Sequence, residues 1–210
     1  MLIIAIPKSA STSLLYTLRE SLKFPAKQKF NHEKKSLLYP VLTNLHSDVG
    51  EYSKVAIDEF TQPYKIFKQH IPPTKNNTNL LKKKKKIVLL RDVNEIILAY
   101  KRGAKAEVHN LLKGFDKSWS DKKWLLMAKE NGLYNELDNF FNKWKEEEGA
   151  YTLIIQYDDL INNPTLVINK ILEFIEYPKQ VKSLKLAKAR YSRVSAIRKL
   201  LRKFRKKLNV

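Results

Sequence analysis

Short apolar runs alternate with segments of helical hydrophobic period along this sequence, and this alternation restricts the fold more than any other feature. Residues 2–6 and 87–90 are runs of four or five apolar residues, the length of a buried strand. Each is followed by a segment such as 11–22, in which leucine or isoleucine recurs every three or four positions. The pattern predicts an α/β fold with a central parallel sheet flanked by helices.

The same periodicities place further elements along the chain. Strands are predicted at 54–57, 64–69 and 151–157, a polar turn at 75–79, and helices at 32–45, 93–103, 133–149 and from 164 onwards. Parallel sheets bind ligands at the carboxyl ends of their strands. The candidate site segments are therefore 7–13, 69–72, 91–92 and 157–159.

The length and the charge of the chain divide it into two parts. Its 210 residues fit one domain of ordinary size, and its net charge of +20 favours anionic partners. Residues 182–210 contain twelve Lys or Arg and no acidic residue. We therefore expect a domain at 1–181 and a basic C-terminal segment at 182–210.

The C-terminal segment has its own hydrophobic period. Its apolar residues at three- and four-residue spacing are Val194, Ile197, Leu201, Phe204 and Leu208. This spacing predicts a basic amphipathic helix. We favour packing of the helix on the domain, because so regular a stripe usually meets a core. Peripheral contact with an anionic membrane or a polyanion is the alternative.

The absence of certain features excludes several classes of protein. The chain has no cysteine, which excludes disulfides, thiolate zinc sites and cysteine nucleophiles. No run approaches the roughly 20 apolar residues of a membrane span, and the first residues do not resemble a signal peptide. We therefore expect a cytoplasmic enzyme with no transmembrane span and no metal site.

The segment between the first strand and the first helix has the chemistry of a phosphate-binding loop. Its residues are Pro7, Lys8, Ser9, Ala10, Ser11, Thr12 and Ser13. A helix start offers unpaired backbone N–H groups to an anion, and Lys8 adds a positive charge. The loop lacks the glycines of the nucleoside triphosphatase motif. A plain strand-to-helix turn with a hydroxyl cap explains the segment equally well.

Four segments in order resemble the sulfotransferase family. Residues 7–12 resemble the family's Pro-Lys-Ser-Gly-Thr-Thr loop, and residues 87–100 resemble its strand that ends in Arg, followed by a helix. Residues 68–72, Lys-Gln-His-Ile-Pro, are similar to the Lys-Thr-His-Leu-Pro segment of cytosolic members. Residues 157–160, Tyr-Asp-Asp-Leu, are similar to the family's Tyr-Glu-Asp-Leu element.

The resemblance implies a fold like that of P-loop nucleoside triphosphatases and a sulfuryl donor, 3′-phosphoadenosine 5′-phosphosulfate (PAPS). It implies that residues 7–13 bind the phosphosulfate end of PAPS, that Lys8 acts at the oxygen between phosphate and sulfate, and that Arg91 binds the 3′-phosphate. His70 is the candidate general base, since histidine titrates close to neutral pH. Glu59 is the alternative base, because distant family members use a glutamate.

The sequence also departs from the family's pattern. Ala10 replaces the loop glycine, and Ala99 replaces a serine that contacts the 3′-phosphate. Arg190 or Arg193 could supply that contact instead. The expected reaction is sulfuryl transfer to a hydroxyl or amine of a small-molecule, glycan or lipid acceptor. The alternative is a non-catalytic or nucleotide-binding basic module of P-loop-like fold that binds anionic partners, and the two alanines keep the non-catalytic case open.

Overall fold

The computed structural model describes residues 1–28, 32–106 and 111–187. Within these ranges the chain forms five strands and nine helices. In chain order they are β1 (Leu2–Ala5), α1 (Ser11–Leu22), β2 (Ala26–Lys27), α2 (Pro40–Leu45), α3 (Lys54–Phe60), β3 (Ile66–Gln69), α4 (Lys75–Leu81), β4 (Lys86–Leu90), α5 (Val93–Lys105), α6 (Asp121–Glu130), α7 (Leu133–Glu146), β5 (Thr152–Gln156), α8 (Tyr157–Asn162) and α9 (Pro164–Phe174).

The predicted central parallel sheet is confirmed. Its strand order is β2-β3-β1-β4-β5, and every paired strand is parallel to its neighbour. Strand β1 lies in the middle, and all four of its side chains are buried. Leu2 and Ile4 pack in one core with α5 and α7, whereas Ile3 and Ala5 pack in a second core with α1 and α9. Helices therefore cover both faces of the sheet, as a parallel sheet requires.

The prediction of a helix over 32–45 is wrong for most of its length. Only Pro40–Leu45 is helical, and Pro40 occupies the first turn, where a proline begins a helix. The preceding residues pair instead with the loop after α2. His32 donates its backbone N–H to the carbonyl of Ser47, and Lys34 forms a bridge with Glu51.

Two short segments are helices where the sequence predicts a strand at 54–57 and a turn at 75–79. In each case the residue before the segment caps a helix. The Ser53 side chain accepts a hydrogen bond from the backbone N–H of Ala56, and the Thr74 side chain accepts one from that of Asn77. These caps, with the burial of apolar residues in α3 and α4, outweigh local strand and turn preferences.

Other boundaries differ by a few residues. Strand β3 starts at Ile66 rather than at residue 64. Tyr64 has a left-handed backbone conformation, which is not part of an extended strand. Helix α5 continues through Gly103 to Lys105, and α7 ends at Glu146, before Gly149. Strand β2 and helices α6 and α8 are present in the structure but are not predicted from the sequence pattern.

The chain after α9 returns to the domain. Asn169 exchanges two hydrogen bonds with the backbone of Val181, and the Thr17 hydroxyl accepts one from the backbone N–H of Ala187. The predicted amphipathic helix and its alternative partners lie outside the described residues. Within those residues, no helix combines the length and apolar character needed to cross a membrane.

Candidate functional site

The loop between β1 and α1 has an unusual backbone. Lys8 and Ala10 both have positive φ angles, 67° and 62°. The buried Ser9 hydroxyl donates to the carbonyl of Ile6 at 2.7 Å, which fixes the turn between them. Ala10 occupies the N-cap of α1 and has no capping side chain. The first N–H groups of this twelve-residue helix are therefore not taken by an N-cap side chain, and such groups bind anions.

A cavity of about 660 Å³ opens at the carboxyl ends of β1 and β3. Because these strands are parallel neighbours, the residues that follow them emerge at one edge of the sheet. The cavity brings together six predicted residues, Lys8, Ala10, Ser11, Thr12, Ser13 and His70. Its other lining residues are Gln28, Asn44, Leu45, His46, Ser47, Asp48, Lys68, Tyr100, Leu111, Leu112 and Lys113.

Three lysines line the cavity, and two of them, Lys8 and Lys68, are largely shielded from solvent. Lys8 lies with its Nζ 5.0 Å from the centroid of the Tyr100 ring, and Lys68 is almost fully buried on β3. Burial, and then the charge of Lys68, lower the pKa of Lys8 to about 7. Burial lowers the pKa of Lys68 to about 8, against the opposing effect of Asp48. Because burial disfavours the charged forms of both lysines, a bound anion would stabilise their protonated side chains.

His70 is held in one tautomer. Its Nδ1 lies 2.8 Å from the carbonyl oxygen of Ala5, which can only accept, so Nδ1 carries the hydrogen. The lone pair is then on Nε2, which lies 3.5 Å from Lys68 Nζ and 4.0 Å from Asp48 Oδ2. Burial lowers the pKa of His70 to about 4, with Asp48 opposing and Lys68 adding to the effect. The imidazole is therefore neutral and can accept a proton at Nε2.

Asp48 places a buried carboxylate beside these cations. Its Oδ2 accepts a hydrogen bond from Gln28 Nε2 at 2.9 Å, and its backbone carbonyl accepts one from the Tyr52 hydroxyl at 2.9 Å. The residue is 4% exposed. Its charge balances part of the repulsion between Lys8, Lys68 and a protonated His70.

His46 also lines the cavity, beside Tyr100 and His70. It hydrogen-bonds to the Tyr100 hydroxyl, and its ring centroid lies 5.7 Å from that of His70. Burial, reinforced by Asp48, raises the pKa of Tyr100. The phenol therefore keeps its proton while its hydroxyl group and His46 Nε2 share a hydrogen bond.

Arg91 lies behind the loop and does not line the cavity. Its Nη1 donates to the carbonyl of Lys8 at 3.0 Å, and its Nη2 donates to Glu95 at 3.1 Å. The guanidinium stacks on the Tyr157 ring with 3.9 Å between its central carbon and the ring centroid. Arg91 thus ties the loop to α5, where it forms an ion pair with Glu95.

The remaining predicted residues lie elsewhere. Pro7 and Ser9 belong to the loop but are buried and do not line the cavity. Ala99 is half-buried on α5 and does not line the cavity either. Arg190 and Arg193 lie outside the described residues.

The structure does not bring Glu59 to the cavity. Glu59 is exposed and lies three positions before Gln62. The backbone carbonyl of Gln62 accepts a hydrogen bond from the amino group of Met1. Glu59 therefore lies near the amino end of β1, whereas His70 lies at the carboxyl edge of the sheet.

Several site residues escaped the sequence analysis. Lys68 could have been found, because a lysine within an otherwise buried strand needs a reason to be there. His46 is half-buried and also lines the cavity. Asp48 and Tyr100 carry no local signal, because only the tertiary fold brings them beside His70.

Comparison with known proteins identifies the family. The profile of the family described as the sulfotransferase domain matches residues 1–208, and the chain belongs to that family. No group of three or more metal-ligating side chains is present in the parts of the chain that the structure describes.

Two solved structures share the fold at low sequence identity. The mouse sulfotransferase SULT7A1, complexed with PAP, superposes with a TM-score of 0.57 at 12% identity, over 93% of this chain and 62% of that one. A sulfotransferase from Alicyclobacillus acidocaldarius superposes with a TM-score of 0.51 at 9% identity, over 89% and 85%. This chain thus spans about three fifths of the mouse protein. No curated protein sequence matches it.

Proposed function

We propose that this protein transfers a sulfuryl group from PAPS to a hydroxyl or amine of an acceptor. The observation that carries the proposal is the convergence of Lys8, Lys68 and His70 in one cavity at the carboxyl edge of the sheet. Sulfuryl transfer needs cations near the departing phosphate oxygen and a base near the attacking group, and this cavity offers both.

The residues present fit the donor. The uncapped start of α1 and the side chains of Lys8 and Lys68 suit the phosphosulfate end. The buried Nε of Arg91 has no hydrogen-bond partner among the described residues, so its guanidinium has capacity for another acceptor oxygen. PAPS would supply a sulfuryl group, whose bond to the phosphate oxygen breaks as a bond to the acceptor oxygen or nitrogen forms.

Each cavity residue has a distinct task in this proposal. Lys8 and Lys68 stabilise the negative charge that develops on the leaving phosphate. His70 receives the acceptor's proton at Nε2, because the Ala5 carbonyl holds the hydrogen on Nδ1. A bound anionic donor raises the low pKa of His70, since nearby negative charge favours the imidazolium. Asp48 stabilises the same protonated state.

The cavity wall indicates the acceptor's surroundings without naming the acceptor. Leu45, Leu111 and Leu112 supply apolar surface, and Asn44 and Lys113 supply polar groups near them. Such a mixed lining suits a molecule with both an apolar body and polar substituents. The cytoplasmic location stays a prediction.

The test is transfer of radiolabelled sulfate from PAPS to a panel of glycans, lipids, phenols and peptides. With an acceptor found, His70→Ala is expected to lower turnover by about 100-fold or more, the usual contribution of a general base. Its affinity for PAP, the desulfated product, should change little. Glu59→Ala serves as the control and should leave turnover unchanged. Loss of turnover in Glu59→Ala but not in His70→Ala would exchange the two roles.

A further inference from the structure

Two hydrogen-bond acceptors lie side by side in the lining of the cavity. His70 Nε2 and Asp48 Oδ2 are 4.0 Å apart, and both side chains are almost fully buried. Nε2 carries the lone pair of the neutral imidazole, because the hydrogen is on Nδ1. A carboxylate oxygen can only accept. Each of these two atoms can therefore take a hydrogen from a bound molecule.

The lone pair of His70 is only weakly engaged by the protein. Lys68 Nζ lies 3.5 Å from Nε2, beyond the roughly 2.7–3.2 Å of an ordinary hydrogen bond. The contact is long enough that a hydroxyl group in the cavity can compete for the lone pair. Nε2 thus serves as an acceptor for a bound molecule as well as a base.

Asp48 also has acceptor capacity left over. Within the described residues its carboxylate receives one hydrogen bond, from Gln28 Nε2 at 2.9 Å. Glu136, another buried carboxylate, receives two, from the backbone N–H groups of Val41 and Leu42. A carboxylate has about four lone-pair positions, and its burial is costly unless donors satisfy it. The sparse bonding of Asp48 favours a role in binding a ligand over a role in holding the fold.

Neutral polar side chains surround this carboxylate. Asn44 and Ser47 belong to the segment of chain that carries Asp48, and both line the cavity, as does Gln28. Amides and hydroxyls can donate as well as accept. This part of the lining therefore suits a molecule with several hydroxyl groups better than one with a single hydroxyl on an apolar body.

We propose that the acceptor carries two hydroxyl groups on adjacent carbon atoms, one bound to His70 Nε2 and the other to Asp48 Oδ2. Oxygens on adjacent carbons in the gauche arrangement lie about one hydrogen-bond length apart, roughly 2.8 Å. Two such hydroxyls can reach acceptors 4.0 Å apart with hydrogen bonds of ordinary length. The inference rests on the proposed function, because that function makes His70 the base.

The two hydroxyls have different fates in the reaction. The hydroxyl at His70 gives its proton to Nε2 as its oxygen forms a bond to sulfur, and the bond from sulfur to the phosphate oxygen of the donor breaks. The second hydroxyl keeps its proton and donates it to Asp48 throughout. Asp48 thereby holds the reacting oxygen in place and selects acceptors that have a neighbouring donor.

The experiment compares two acceptors that differ only in the placement of their hydroxyl groups. One trans-cyclohexanediol has them on adjacent ring carbons, and the other has them at opposite ends of the ring. Transfer of radiolabelled sulfate from PAPS to each is measured on the full chain. The adjacent diol should have a kcat/KM at least about tenfold higher, because it alone gains the hydrogen bond to a buried carboxylate.

Asp48→Ala removes the second acceptor and should bring the ratio of the two kcat/KM values close to one. The substitution also changes the charge around His70 and Lys68, so the ratio is the readout rather than either rate. A purely structural role for Asp48 would lower both rates and leave the ratio unchanged. Asp138→Ala removes a carboxylate from α7, outside the cavity lining, and should keep the full preference.

The outcomes separate this inference from the proposed function. If the wild-type protein binds PAP but sulfates both diols equally, prefers the opposed diol or sulfates neither, the inference is overturned and the proposed donor site stands. An unchanged ratio in Asp48→Ala also overturns it. If the protein neither binds PAP nor sulfates any acceptor, the proposed function falls and the inference falls with it. The wild-type comparison decides even where melting shows that the variant does not fold.

Discussion

Ala10 has a left-handed backbone, a conformation in which glycine is the ordinary residue. An L-residue in this region costs roughly 1–2 kcal/mol relative to glycine, and Lys8 adds a second such residue in the same loop. Strain of this kind persists where the surrounding structure determines it and is concentrated at functional sites. Here the Ser9 hydroxyl and the Arg91 guanidinium hold the loop from both sides. Alanine in place of the family's glycine therefore still adopts a left-handed backbone at the start of α1.

The charge of Lys8 makes nucleotide binding depend on pH. Its pKa in the free protein is about 7, and a bound phosphate raises that pKa because it favours the ammonium. Binding therefore takes up a proton above about pH 7, and PAP affinity should fall as pH rises through that value. Lys68, with a pKa of about 8, extends the decline to higher pH.

Calorimetry between about pH 6 and pH 9, in buffers of different ionisation enthalpy, measures both the affinity and the proton uptake. Lys8→Met should bind PAP more weakly and lose most of the decline between about pH 6 and pH 8. Lys105→Met is the matched control and should keep it. An unchanged pH profile in Lys8→Met would show that another group takes up the proton.

Among the secondary-structure elements, the short helix α2 positions His46 and Asp48, and a side chain of α7 caps that helix. Both carboxylate oxygens of Glu136, on α7, accept hydrogen bonds of 2.8 Å from the backbone of α2, at Val41 and Leu42. Helix α2 ends at Leu45, immediately before His46. The cap thus fixes the segment that forms one wall of the cavity.

Glu136→Ala should lower the free energy of unfolding by about 2–3 kcal/mol, because two backbone N–H groups lose a charged acceptor. Urea denaturation measures this change. Glu130→Ala, on the exposed surface of α6, is the control and should be nearly neutral. A change below about 0.5 kcal/mol in Glu136→Ala would show that water replaces the cap without cost.

The elements that local pattern predicts well are those with strong periodicity. Strand β1 and helices α1 and α9 match their predicted positions because each has a clear apolar face or run. The segment 54–57 is predicted as a strand, but the Ser53 cap and the burial of Ile57 and Phe60 make it helical. Such outcomes depend on tertiary contacts that a single sequence does not display.

The candidate site was predictable only where its residues follow strands with a clear apolar pattern. Lys8 and His70 follow apolar runs, and the rule for parallel sheets brings them to one edge. Lys68 lies in a predicted strand, where a lysine signals a special environment but does not by itself indicate a function. Asp48, His46 and Tyr100 reach the cavity from distant segments of the sequence, and the long-range cap by Glu136 is part of what places the first two.

In the part of the molecule that the structure describes, five parallel strands bring the candidate site residues to one edge of the sheet. The loop after β1 and the histidine after β3 share the cavity there, and the arginine after β4 braces the loop from behind. The high positive charge of the chain favours the approach of an anionic nucleotide. We expect this edge to bind PAPS and its product PAP rather than nucleotides in general.

Thermal melting of the full chain with PAP or ATP, at equal concentration and without added metal, tests this selectivity. Binding to the folded state alone must raise the melting temperature. PAP at about 100 times its Kd should raise it by about 5 °C or more. ATP, which lacks a 3′-phosphate, should raise it clearly less. An equal shift with ATP, or no shift with PAP, would contradict the account.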